Sequence, residues 1–140
     1  MKGDINMSCK SAIYTVNTSV GTIPINGVIP VGGVIRRFGR NLDVSGNGIT
    51  ACGEGYYNVG VNVSLAPSVV GGVSVTLYKD GVPVPGATAI ATNTAVGNTV
   101  NLNIRALIRN KCCDSNSEVT VVLGGAASAI TNIGVVVEKV

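Results

Sequence analysis

Every second residue is aliphatic along five stretches of this chain, and that spacing constrains the fold more than any other feature. Val59, Val61, Val63 and Leu65 alternate with Asn58, Gly60, Asn62 and Ser64. Val73, Val75 and Leu77 alternate with Ser74, Thr76 and Tyr78, and Val100, Leu102 and Ile104 alternate with Thr99, Asn101 and Asn103. Val119, Val121 and Leu123 repeat the pattern, as do Ile133, Val135 and Val137. A period of two puts alternate side chains on opposite faces of an extended strand, so each stretch is half-buried β-structure.

Turn chemistry separates these runs. Asp80-Gly81 between Val73–Lys79 and Val82–Val84 predicts a tight hairpin. Pro83 and Pro85 predict an edge strand, because proline cannot donate to a ladder on both sides. Gly97-Asn98, Asp114–Ser117 and Gly124-Gly125 mark further turns. Gly46-Asn47-Gly48 and Gly53-Glu54-Gly55 bracket Ile49–Cys52, and Gly32-Gly33 precedes Val34–Phe38. The one helical candidate, Val100–Arg109, opens with β-branched residues and asparagines and reads better as strand. Eight to ten short strands joined by tight turns are expected, which means an all-β antiparallel sandwich or barrel. At 140 residues the chain suits one domain, expected over residues 11–140 behind a flexible arm, residues 1–10.

The chemistry that is missing narrows the function. With no histidine, neither a Ser-His-Asp nor a Cys-His arrangement is possible. The carboxylates are Asp4, Asp43, Glu54, Asp80, Asp114, Glu118 and Glu138, mostly in predicted turns, and nothing nominates a catalytic pair. No phosphate-cradling loop or dinucleotide fingerprint occurs. Asp80 and Asp114 each lack the cluster of oxygens that Ca²⁺ requires. No catalytic residue, cofactor or metal ligand is therefore assigned, and the chain is read as a non-enzyme. A net charge of +3, no Trp and one Phe give no case for nucleic acid. No run approaches the roughly 20 apolar residues of a membrane helix, so no membrane insertion is expected. Residues 1–10 contain no apolar leader core, so assembly in the cytosol is expected. The four cysteines, Cys9, Cys52, Cys112 and Cys113, are open to three readings: structural thiols, cross-links within or between chains, or a metal site. Tyr56, Tyr57 and Tyr78 are open to core packing or to a sugar site.

Composition points to association. Hydrophobic residues make up 46% of the chain but charged residues only 12%. Much of the surface is therefore uncharged, and burial against other copies is the simplest use for it.

Leu42, Ile49 and the run Gly55-Tyr56-Tyr57-Asn58-Val59-Gly60-Val61 have a spacing that resembles the C1q/TNF-like jelly-roll family. Thr131–Val136 resembles that family's closing strand. Aliphatics replace the family's aromatics at Leu42, Ile49, Val59 and Val61, and Arg37 stands where the family has Asn. Cys9–Thr15, Arg36–Gly39, Leu77–Val82, Pro85–Thr88 and Val135–Lys139 are similar to a subgroup like the C-terminal domain of the spore-surface glycoprotein BclA, found in phages and spores of Gram-positive bacteria. The resemblance implies a homotrimeric jelly roll displayed on a particle.

The residues themselves suggest where copies would meet. If the valines of the central strand point inward, Asn58, Gly60, Asn62 and Ser64 point outward, with Gly134 and Val136 on the last strand. Small outward residues would let sheets of three copies approach, with amides hydrogen-bonded around an axis; an ordinary solvated face is the alternative. Three roles follow as expectations. One is a virion-surface structural protein, such as a head fibre or decoration protein, held to other particle proteins by its N-terminal arm. Another is a module recognising host surface glycans through loops such as Gly86–Gly97 or Lys111–Ser117. The third is a spore-surface subunit.

Overall fold

The computed structural model describes residues 10–110 and 116–140. Its strands are β1 (Ala12–Asn17), β2 (Gly21–Ile23), β3 (Val28–Ile29), β4 (Gly33–Phe38), β5 (Leu42–Ser45), β6 (Gly48–Ala51), β7 (Gly55–Pro67), β8 (Gly71–Lys79), β9 (Val82–Asn93), β10 (Val100–Asn110), β11 (Ser117–Gly124) and β12 (Ser128–Lys139). The first sheet runs β10-β7-β12-β1-β4, with β2 also on β12; the second runs β5-β6-β11-β8-β9, with β3 also on β11. All pairs are antiparallel. The fold is an antiparallel β-sandwich of jelly-roll type. No helix among the described residues is long and apolar enough to cross a membrane.

The alternation does what its period requires. Val59, Val61, Val63 and Leu65 of the first sheet meet Val73, Val75, Leu77, Val119, Val121 and Leu123 of the second, and all are buried. Leu102, Ile104, Ile108, Ile133, Val135 and Val137 complete the interior. Each such side chain contributes about 1.5–3 kcal/mol by leaving water. Val100–Asn110 is strand throughout, as its β-branched start implies.

Among the described residues twelve strands replace the expected eight to ten, and several are long: β7 has 13 residues and β9 has 12. The extra pieces are β2 and β3, with three and two residues, too short to show alternation. Together they complete both sheets. β12 pairs with β1 over Ile133–Glu138 and with β2 over Ser128–Ile130. β11 pairs with β6 over Ser117–Val119 and with β3 over Val121–Val122.

The hairpin at Asp80-Gly81 forms as expected. Both residues have positive φ, +53° and +81°, which matches the right-handed twist of the flanking strands. β9, which carries Pro83 and Pro85, is an edge strand of its sheet.

One end of the sandwich is closed by a seam of uncharged polar groups. Ser11 Oγ donates to Asn41 Oδ1 (2.8 Å), and the Asn41 backbone N–H donates back to Ser11 Oγ (3.1 Å). Asn41 Nδ2 donates to the Cys52 carbonyl (2.6 Å). Asn110 Nδ2 reaches the Gly53 carbonyl at 3.1 Å, and Ser117 Oγ donates to Asn110 Oδ1. Buried amides and hydroxyls are tolerable only when paired in this way. Cys52 ends this part of the chain partly buried; Cys9, Cys112, Cys113 and nearly all of the expected arm (residues 1–10) lie outside the described residues.

Candidate self-association face

Strand register converts the outward residues of the first sheet into rows. Arg105, Gly60, Val136, Tyr14 and Arg36 stand side by side across β10, β7, β12, β1 and β4. On one side lies Leu107–Asn58–Glu138–Ala12–Phe38, and on the other Asn103–Asn62–Gly134–Val16–Gly33. Asn101–Ser64–Asn132 follows. The six residues singled out from the sequence thus lie together on one outward face, on the adjacent strands β7 and β12. Sequence reasoning missed Tyr14, Asn101, Asn103 and Arg105, which belong to the flanking strands β1 and β10. Asn101 and Asn103 alternate with buried Leu102 and Ile104, the signal that could have placed them on this face.

The small residues form the floor of an open depression of about 610 Å³, with Tyr14 and Arg105 on its sides. From Asn62 and Asn103 on its lining, an amide ladder runs outward to Asn101 and Ser64. Asn101 Nδ2 donates to Asn62 Oδ1 (3.0 Å) and to Ser64 Oγ (2.9 Å), while Asn103 Nδ2 donates to Asn101 Oδ1 (3.0 Å). Uncharged groups are thereby half-satisfied within the chain and keep capacity for a partner. Val136 is 42% exposed and Tyr14 40%, so the depression also presents apolar surface.

The glycines here are not needed by the protomer. A Cβ on Gly60 would meet no atom within 4 Å, and one on Gly134 only ordinary contacts at 3.8 and 3.9 Å. Neither has positive φ. Glycine inside a strand costs about 0.5–1 kcal/mol relative to alanine. Gly39 is different: at φ +82° its Cβ would collide with the Ser11 hydroxyl and the Lys10 carbonyl, so the fold itself demands it.

Other expected sites fall elsewhere. Tyr57 is fully buried, its hydroxyl 2.9 Å from the Cys52 and Gly53 carbonyls, so it is a core residue and not a sugar platform. Burial raises its pKa above the ordinary 10.0, the Cys52 thiol nearby adds to the rise, and a hydrogen bond with Asn41 opposes it. Tyr56 is exposed, with the Arg109 guanidinium 5.7 Å from its ring centre. Gly86–Gly97 is only partly a loop: Gly86–Asn93 belongs to β9, and Thr88–Asn93 pair in register with β8. Of Lys111–Ser117, residues 111–115 lie outside the described residues and Ser117 opens β11.

No family model matches the sequence, and no curated protein matches it. Solved structures do match in fold. Murine APRIL at pH 5.0 superposes with a TM-score of 0.70 at 15% identity, over 94% of this chain and 99% of that one. The globular domain of zebrafish complement 1qA gives 0.68 at 9% identity, over 92% and 95%. PRD1 vertex protein P5 gives 0.61 at 16% identity, over 93% and 96%. The likeness is one of fold: this chain is a TNF/C1q-like jelly roll.

Proposed function

We propose that this chain is a non-enzymatic structural module that forms homotrimers through the outward face of its first sheet and is displayed on a particle surface. The observation that carries the reading is Gly60, backed by Gly134. Two strand-interior glycines cost stability, and nothing in the protomer requires them. Close approach of another chain explains their small size. Closed rings of identical subunits are the usual form of soluble self-association.

Within that class the proposed setting is a phage virion surface, as a head fibre or decoration protein. A phage vertex protein among the structural neighbours supports it. The proposed anchor is the arm of residues 1–10; the described chain enters beside β12, where the Lys139 N–H donates to the Ser11 carbonyl (2.8 Å). The BclA-like segments, among them Pro85–Thr88, favour a spore surface as the second setting.

Light scattering tests the trimer. The expected mass is three times the 14.1 kDa protomer, and Gly60→Arg should reduce it to one protomer with an unchanged circular dichroism spectrum. A single-protomer mass for the unmodified chain at tens of micromolar, or a trimer that survives Gly60→Arg, sinks the proposal. Removing residues 1–10 should end co-purification with particles, and capsid or coat genes beside this one would separate phage from spore.

A further inference from the structure

The first sheet ends on a strand that the protomer leaves bare. All six residues of β4 are exposed, and among the described residues its one ladder partner is β1. Three of the six are large and apolar: Val34 is 44% exposed, Ile35 58% and Phe38, the chain's only phenylalanine, 62%. The register with β1 slips between Tyr14 and Thr15 and leaves Ile35 unpaired, a bulge of the kind that re-aims a sheet edge. Apolar edges adhere to other chains unless they are guarded. β4 has no proline and no acid, and its Arg37 guanidinium is held by Asp43 of β5 at 2.8 Å. Other exposed aliphatics are placed differently. Ile25, Val69, Val70 and Val96 lie outside the strands, and Ile90 is flanked on its face by Thr88 and Thr92. Val82 and Leu107 share a groove with Pro83 and Pro85, on an edge that proline guards.

The depression over Gly60 and Gly134 offers what this edge lacks. Its 610 Å³ is well beyond the roughly 150 Å³ that encloses a benzene ring. The protomer cannot fill it with its own Phe38. That residue shares a row with Glu138 but stands two strands from it, about 10 Å, with Ala12 between them. The charges match as well. Glu138 is the one acid on the lining of the depression, and Arg36 is the cation that β4 does not tie to an acid. Neither forms an ion pair among the described residues. Arg105, the other charge on the lining, belongs to β10, two strands from Glu138.

We infer that copies of this chain join edge to face: β4 of one copy lies over the depression of the next, with Phe38 on the floor of Gly60 and Gly134 and Arg36 beside Glu138. The inference rests on the self-association reading and gives that contact its two halves. Aromatic and arginine side chains seated in water-free pockets are the usual anchors of an interface. A floor without side chains leaves room for a ring that comes from outside, which is the use the protomer itself does not make of Gly60 and Gly134. The same contact takes the bare apolar edge out of water. In a ring of three, each copy gives its β4 to one neighbour and receives β4 of the other, so the contact is head to tail and no edge is left over.

The test replaces Phe38 by p-benzoylphenylalanine, a photoreactive side chain that keeps the ring, in the full chain. Irradiation should join chains in pairs on a denaturing gel, and peptide mapping should place the adducts on residues 58–62 or 132–138 of the second chain. Phe38→Ala should raise the concentration at which copies assemble roughly tenfold or more, with an unchanged circular dichroism spectrum because the side chain is exposed. Arg36→Glu should weaken assembly, and adding Glu138→Arg to it should restore assembly. Four results overturn the inference: no adduct between chains, adducts that join position 38 to the neighbour's β4, assembly untouched by Phe38→Ala, or an Arg36→Glu defect that Glu138→Arg does not relieve. Light scattering on the same samples keeps the two proposals apart. Three protomers with adducts elsewhere sink only the edge-to-face contact, two protomers with adducts on the floor sink only the trimer, and a single protomer sinks both.

Discussion

The two sheets share an inward pattern and differ on their outward faces. The second sheet shows water Thr50, Thr76, Thr88 and Thr120, with Tyr78, Asp43 and Glu118. Threonine and tyrosine are good strand formers, and acids keep a wetted face soluble. In the first sheet the corresponding positions on β7, β10 and β12 hold Asn58, Gly60, Asn62, Asn101, Asn103, Asn132 and Gly134, among Ser64, Arg105, Leu107, Val136 and Glu138. Glycine and asparagine are poor strand formers. Their presence on one face, against strand propensity, is what the proposed self-association would explain. The difference between the two faces is thus the contrast on which the proposed assembly rests.

The comparison can be broken by moving one bulky charge between faces. Gly60→Arg should abolish the trimer, whereas Thr76→Arg on the second sheet should leave the mass unchanged; equal effects on light scattering would erase the distinction. Next in size, Leu65→Ala and Leu77→Ala should each cost about 2–5 kcal/mol in denaturant titrations, because the inner faces are equivalent. A large disparity would mean that the sheets differ inside as well as out. Asn110→Ala should cost about 1–3 kcal/mol by stranding its partners in the seam. Tyr57→Phe, in the same seam, should cost about 1 kcal/mol at neutral pH. Its phenol has a raised folded pKa, so its stabilisation is present below the unfolded value of 10.0 and is lost as pH climbs through the folded value. The variant should therefore flatten the alkaline limb of a stability–pH curve. Smallest are the surface hydrogen bonds: Asn101→Ala and Thr88→Ala should each cost about 0.5–1.5 kcal/mol or less, and only the first should depend on protein concentration.

Much of this was legible from residues alone. Val59 to Leu65 and Val119 to Leu123 announce their inward faces by period, and Asp80-Gly81 announces its hairpin by the φ values it tolerates. The outward residues of β7 and β12 follow from the same alternation by subtraction. What escaped has physical reasons. β2 and β3 are held by their partners β12 and β11 and have no internal pattern. Asn41, Asn110, Ser11 and Ser117 are ordinary polar residues whose burial depends on meeting across up to 59 positions of sequence. Gly86–Asn93 looks like a loop because Gly86 and its alanines carry little alternation, yet pairing of Thr88–Asn93 with β8 makes it strand. Rows such as Arg105–Gly60–Val136–Tyr14–Arg36 need a strand order that periodicity does not contain.

The place of β1 has a mechanical consequence. It lies between β12 and β4 and is entered from Lys10, with six register pairs on one side and five on the other. If tension comes in at Lys10 and is resisted at the opposite end of the sandwich, β1 is dragged lengthwise between its neighbours. All of its ladder bonds are then strained together, as in shear, instead of opening one after another like a zipper. A tether built this way holds against a steady tug and yields abruptly, and a pulling experiment with those two attachment points would register a single high rupture peak.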